Sequence, residues 1–235
     1  MLYFYKTFQV CMISFFKRYR VFITTMFALS CIIITIFYNI LNPEKILPIY
    51  QPAEVNYELV DSTIQHQKKY HQIADFSLIN QNGDTISQEF YKDKIYVADF
   101  FFTTCQTICP IMTDHMYDIQ KKTIADPNLL LLSHSVTPEI DSVPQLKEYA
   151  KKKLVNPAKW NLVTGDKKQI YELARKSYLA VKNSEYGGPF DMIHTENFML
   201  IDKKRQIRGF YDGTDLKEIE RLLEDIKVLK ASYKN

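Results

Sequence analysis

Two cysteines, Cys105 and Cys109, stand with three residues between them, and Pro110 follows the second directly. Thiols at that spacing can close a disulfide or grip one metal ion with much the same geometry. They come straight after an apolar run, Ile95 to Phe102, and Pro110 suits the first turn of a helix, where its missing N–H would have no partner in any case. Thiols placed between a buried strand and a helix start meet backbone N–H groups and the positive end of the helix dipole, which favour the thiolate. The pair is therefore primed as nucleophile or as metal ligand. Cys31 lies within a long apolar run, and Cys11, among aromatic residues, reads as a small hydrophobe. An inert structural disulfide is the plainest alternative for the remaining pair.

The elements around the pair can be placed by period and punctuation. Phe76-Ser77-Leu78-Ile79 and Thr85-Ile86 flank Asn82-Gly83, a hairpin whose turn needs positive φ. Ile95 to Phe102 is nearly all apolar, as in a central strand covered on both faces. A helix runs from Pro110 to about Lys122. Leu129 to Leu132 begins a second buried strand, Pro144 to Lys153 is helical, and Trp160 to Val163 is another strand. Asp166 caps a helix reaching Lys176, and Phe198 to Tyr211 forms a late hairpin around a turn at Asp202 to Arg205. Asp215 with Glu218 predicts a capping box for the closing helix, in which Leu216, Ile219, Leu222, Leu223 and Ile226 keep helical spacing. Strands alternating with helices predict an α/β sheet covered on both faces, with chemistry at strand-to-helix loops. Among the histidines, His134 between two serines reads as a rim residue of its strand, His115 as a solvent-facing helix residue, and His66 and His71 as parts of a tether.

Ahead of this unit lies a different kind of sequence. Val21 to Leu41 is 21 residues without a charge, long enough to cross a hydrocarbon core of roughly 30 Å and longer than the apolar part of a usual cleaved signal. Lys17, Arg18 and Arg20 precede it and only Lys45 follows closely, which predicts a cytoplasmic N-terminus. The expected organisation is a cytoplasmic segment over 1–20, a transmembrane helix over 21–41, a tether over 42–73 with Pro43, Pro48 and Pro52, and a folded domain over 74–235. Lys6, Lys17, Arg18 and Arg20 all precede the first acidic residue, Glu44, and the rest of the chain holds 26 basic against 27 acidic residues, so a nucleic-acid footprint is absent. With no arginine between Arg20 and Arg175, a peroxidase-like site at the cysteines has no guanidinium close in sequence.

The stretch Asp99 to Pro110 resembles the CxxxCP motif of the SCO/SenC family of membrane-tethered, thioredoxin-fold copper proteins. The likeness covers roughly Ala74 to Lys230. It includes the Asn82-Gly83 hairpin, the aromatic strand and a histidine just before a late strand, His194-Thr195-Glu196-Asn197-Phe198. The resemblance implies a thioredoxin-like fold and a copper site made by Cys105, Cys109 and His194. Two thiolates and an imidazole suit Cu(I) and tolerate Cu(II), while zinc could also use them; the resemblance, not the donor set, points to copper. The family's acidic segment after the second strand corresponds to Val136-Thr137-Pro138-Glu139-Ile140-Asp141, and Gln106 stands where the family often has proline. The function so implied is that of a copper chaperone in a bacterial inner membrane, its domain on the periplasmic side. It would assist assembly of the copper site of a respiratory oxidase, with that oxidase's copper-site subunit and a copper donor protein as partners. The alternative is a thioredoxin-type thiol-disulfide oxidoreductase in which Cys105 attacks, Cys109 resolves and no metal is needed.

Overall fold

The computed structural model describes residues 17–41, 45–55, 60–180 and 195–233. The chain divides into two compact units, one ending at Lys45 and the other starting at Ile46. The first is a helix, α1 (Arg20–Leu41), with no acidic residue in its first turn. Its stretch Arg20–Tyr38, 19 residues, is long and apolar enough to cross a membrane. Threonine hydroxyls bond back to the helix itself: Thr24 Oγ1 donates to Arg20 O at 3.0 Å and Thr35 Oγ1 to Cys31 O at 2.8 Å. Hydroxyls satisfied within the helix cost least in an apolar surrounding.

The second unit is built on a seven-stranded sheet of order β2-β1-β5-β4-β3-β6-β7. The strands are β1 (Ser77–Asn80), β2 (Thr85–Ser87), β3 (Ile95–Phe101), β4 (Leu129–Ser135), β5 (Trp160–Thr164), β6 (Asn197–Ile201) and β7 (Ile207–Asp212). β3, β4 and β5 run parallel, and β6 lies antiparallel against β3, pairing Ala98 with Met199. All residues of those three parallel strands are buried, as a sheet covered on both faces requires. The hairpin between β1 and β2 turns at Gly83, φ 88°, and the Asn80 side chain accepts the N–H groups of Asn82 and Asp84 at 2.9 Å each.

Helices α2 (Ile108–Thr123), α3 (Val143–Lys152), α4 (Lys167–Glu172) and α5 (Leu216–Ala231) complete the unit. α4 passes into a π-helical turn, Leu173–Ser177, instead of remaining α-helical to Lys176. One core cluster joins Met112, Met116 and Ile119 of α2 to Val97, Phe101, Leu131, Trp160, Leu222 and Ile226; the other, on the opposite face, gathers Phe76, Tyr91, Tyr96, Phe100, Leu132 and Tyr178. Asp215 caps α5 by accepting the Lys217 N–H at 2.9 Å, but Glu218 pairs with Arg221 and does not close the expected box.

The segment expected as a tether differs from Ile46 onward. Leu47, Gln51, Pro52, Val60, His71 and Ile73 are buried. Tyr50 N–H bonds to Ile207 O and Ile73 N–H to Arg205 O, while Arg208 donates to the carbonyls of Leu47 and Pro48. Residues 46–55 are thus held against the β6–β7 hairpin and residues 60–73 pack on the same unit, Val60 and Ile73 in its core and His71 at Ser177. His71 Nε2 lies 2.7 Å from Ser177 O.

Candidate metal and thiol centre

Because β3, β4 and β5 are parallel, the loops that follow them emerge at one edge of the sheet, and β6, being antiparallel to β3, enters from that edge. The cysteine loop follows β3 there. Its turn is closed by Cys105 N–H donating to Phe102 O at 3.3 Å, and α2 then starts at Ile108 with Pro110 in its first turn. Cys109 N–H, one of the unpaired donors of that first turn, points to Cys105 Sγ at 3.4 Å. Cys105 Sγ is also 3.6 Å from Thr107 Oγ1. Both thiols are free.

The two sulfurs sit in different surroundings. Cys105 is partly exposed; burial pushes its thiol up, but hydrogen bonds from the backbone and thiol of Cys109 and from the backbone and hydroxyl of Thr107 outweigh this and bring it down to about 7. Cys109 is 3% exposed in the cluster with Phe101 and Met112. Burial pushes it up to about 12, and the nearby Cys105 and Asp99 charges add to the rise. Asp99, one position from Ala98 on β3, is 2% exposed and faces the same side of the sheet as Val97 and Phe101. Burial raises it to about 7 against the Ser133 hydrogen bond, and its Oδ1 has no partner among the described residues. Sequence reasoning passed over Asp99, although an acid inside a continuous apolar strand was a usable signal of a buried carboxyl.

The histidines fall apart from the pair. His134 is not a rim residue: it is fully buried, stacked on Phe100 with ring centroids 4.8 Å apart and edged by Tyr178 and Phe76. Those rings belong to the cluster on the face opposite the thiols. Burial lowers its imidazole to about 4, so it stays neutral there. His115 is half-buried instead of facing solvent, and its Nδ1 lies 2.8 Å from Gly213 O, fixing the turn between β7 and α5. His194, the third expected ligand, lies outside the described residues. Among the described residues no set of three His, Cys, Asp or Glu side chains could hold a metal ion.

Comparison with known proteins gives this arrangement a family. The SCO1/SenC family profile matches residues 64–231. The SCO1 protein homolog of Bacillus subtilis is 36% identical over 160 residues, covering 67% of this chain and 82% of that protein. A solved SCO1/SenC family lipoprotein from Bacillus anthracis is similar at TM-score 0.60 and 31% identity, covering 68% of this chain and 95% of its own. BsSco, described as a member of the Sco family of cytochrome c oxidase assembly proteins with a disulfide switch, is similar at TM-score 0.58 and 35% identity, over 68% of this chain and 93% of its own. Yeast Sco1, solved with copper bound, shares the fold at 21% identity and TM-score 0.53, over 67% of this chain and 90% of its own. The α/β architecture is thus the thioredoxin-like one that the sequence led us to expect, and the chain belongs to the SCO1/SenC family.

Proposed function

We propose that this chain is a membrane-anchored copper-binding thiol protein that assists assembly of the copper site of a respiratory oxidase, with Cys105, Cys109 and His194 as the copper ligands. The observation that carries the reading is the pair of free thiols at the β3–α2 loop, with Cys105 Sγ already receiving the Cys109 N–H. Such a soft donor set suits Cu(I). β6 starts at Asn197 from the same edge of the sheet, three positions after His194, which favours that imidazole as the third donor. Cys105 is half thiolate at neutral pH, whereas Cys109 must give up its proton when the site fills. Bound there, copper would supply a thiolate-held ion for transfer to a client.

α1 is read as a single-pass anchor in a bacterial inner membrane, with Lys17, Arg18 and Arg20 on the cytoplasmic side and the domain on the periplasmic side. Confinement to the membrane surface raises the effective concentration near a membrane-bound oxidase subunit and near a copper donor. The expected organisation into 1–20, 21–41, 42–73 and 74–235 is kept as part of this reading, with residues 46–55 and 60–73 of the tether packed on the domain.

Copper retention by the reduced full chain in detergent tests it. Wild type holds one Cu(I) per chain, the Cys105→Ser, Cys109→Ser double variant holds none, and His194→Ala binds more weakly by at least about tenfold. A wild type that retains no copper, or a double variant that retains as much, ends the reading.

One observation favours a second activity at the same pair. The exposed thiol near 7 and the buried thiol near 12 are matched to attacking and resolving roles in thiol-disulfide exchange. In that case His194→Ala keeps its reductant activity while losing copper.

A further inference from the structure

Asp141 is fully buried in the connection between β4 and α3, and no cation is seen beside it among the described residues. Its carboxylate takes four donors. Ser135 Oγ at 2.5 Å and Thr137 Oγ1 at 3.1 Å come from the end of β4 and its loop. The other two belong to Thr103, whose hydroxyl lies 2.5 Å from Oδ1 and whose N–H lies 3.3 Å from Oδ2. Gln145 Nε2 steadies the same Thr103 hydroxyl at 3.2 Å.

Thr103 stands two residues before Cys105, and its N–H belongs to the same peptide unit as the Phe102 carbonyl that holds Cys105 N–H. The contacts form an unbroken series: Asp141 to the Phe102–Thr103 peptide, that peptide to Cys105, and Cys105 Sγ to the Cys109 N–H. A buried carboxylate with all its donors in place is expensive to disturb, so the peptide it holds has one geometry.

We propose that Asp141 is a positioning residue for the thiol pair: through Thr103 it holds Cys105 within closing distance of Cys109 and so raises the effective concentration of one thiol against the other. It acts through Thr103 and the peptide, not by touching a reacting atom. The proposal rests on the thiol pair alone and stands whether or not the pair carries copper.

The test is the equilibrium of the full chain in detergent with glutathione. The Cys105–Cys109 disulfide plus two glutathione thiols gives the protein dithiol and one glutathione disulfide, two electrons and two protons passing to the protein. Asp141→Asn keeps the shape but leaves one acceptor oxygen for the donors that two carboxylate oxygens now share, the Thr103 N–H and hydroxyl among them. Its disulfide is expected to be easier to reduce, the equilibrium constant shifting about tenfold. Thr103→Val loses the hydroxyl bridge and keeps the N–H, and shifts it about threefold in the same direction. Ser135→Ala removes a donor to the same carboxylate on the β4 side and leaves the equilibrium within about twofold of wild type.

An unshifted Asp141→Asn that retains its fold overturns the proposal, as does a Ser135→Ala shift as large as that of Asp141→Asn, which would make the effect one of general stability. Should Asp141→Asn not fold, Thr103→Val decides: no shift there overturns the proposal as well. Loss of copper binding by wild type would sink the function proposed above without altering any of these outcomes.

Discussion

Cys105 and Cys109 are the same side chain four positions apart, yet one sits in the loop and the other in the core. Cys105 gains hydrogen bonds to its sulfur and keeps solvent on one side; Cys109, in the first turn of α2, is packed in the cluster with Phe101 of β3, the strand that carries the buried Asp99. The first environment stabilises a thiolate, the second a thiol. Burial, more than the helix dipole that both share, decides which proton leaves first.

The widest gap between them appears in thiol chemistry. At pH 7 about half of Cys105 is thiolate, and the pKa gap of roughly five units makes the Cys109 fraction lower by a factor of about 10⁵. Greater intrinsic nucleophilicity of the more basic thiolate returns about half of those decades, leaving Cys105 about 10³-fold faster toward iodoacetamide. Peptide mapping after brief alkylation of the reduced protein measures both rates. Similar rates at the two positions would break the comparison.

Asp99 sharpens it. Its folded value lies near 7 against 3.8 for an ordinary aspartate, so between about pH 4 and 7 the folded chain keeps a proton that the unfolded chain releases. Stability therefore falls as pH rises through that window, and the full penalty, at most about 4 kcal/mol, is present above it. Asp99→Asn should raise stability in urea unfolding by about 2–4 kcal/mol at pH 8 and change it little at pH 4. Removing that charge should also narrow the alkylation gap, because Asp99 is among the groups that hold Cys109 up. A stability change equal at both pH values would show that the carboxyl is not the source.

What sequence could and could not disclose follows the same divide between local and distant causes. The apolar run before Cys105 already implied a strand buried on both faces, and β3 is that strand from Ile95 to Phe101. The asymmetry of the cysteines followed less directly, since spacing does not say which thiol points inward. Ser133-His134-Ser135 looked like a strand rim because its neighbours are polar. In the centre of the sheet those polar groups are spent internally, Ser133 on Trp160 Nε1 and Ser135 on Asp141. The packing of residues 46–55 and 60–73 was equally hidden: Leu47, Val60 and Ile73 show no period, and Arg208, Ile207 and Arg205, which hold Leu47, Tyr50 and Ile73, lie more than 100 residues further on. Asp141 belongs with these, since its partner Thr103 is 38 positions away.

The smallest expected effect of the comparison is on the fold itself. Serine at Cys109 places a hydroxyl in a site lined by Phe101 and Met112, where burial without a good partner costs about 1–2 kcal/mol. Serine at Cys105 keeps a polar atom beside the Cys109 N–H and solvent, and should stay within about 0.5 kcal/mol of wild type. Urea unfolding of both single variants in reducing buffer separates the two, since no disulfide can then form in any of the proteins. A Cys105→Ser loss as large as that of Cys109→Ser would mean that the loop sulfur is structural, and the contrast in thiol reactivity would then need another cause than burial.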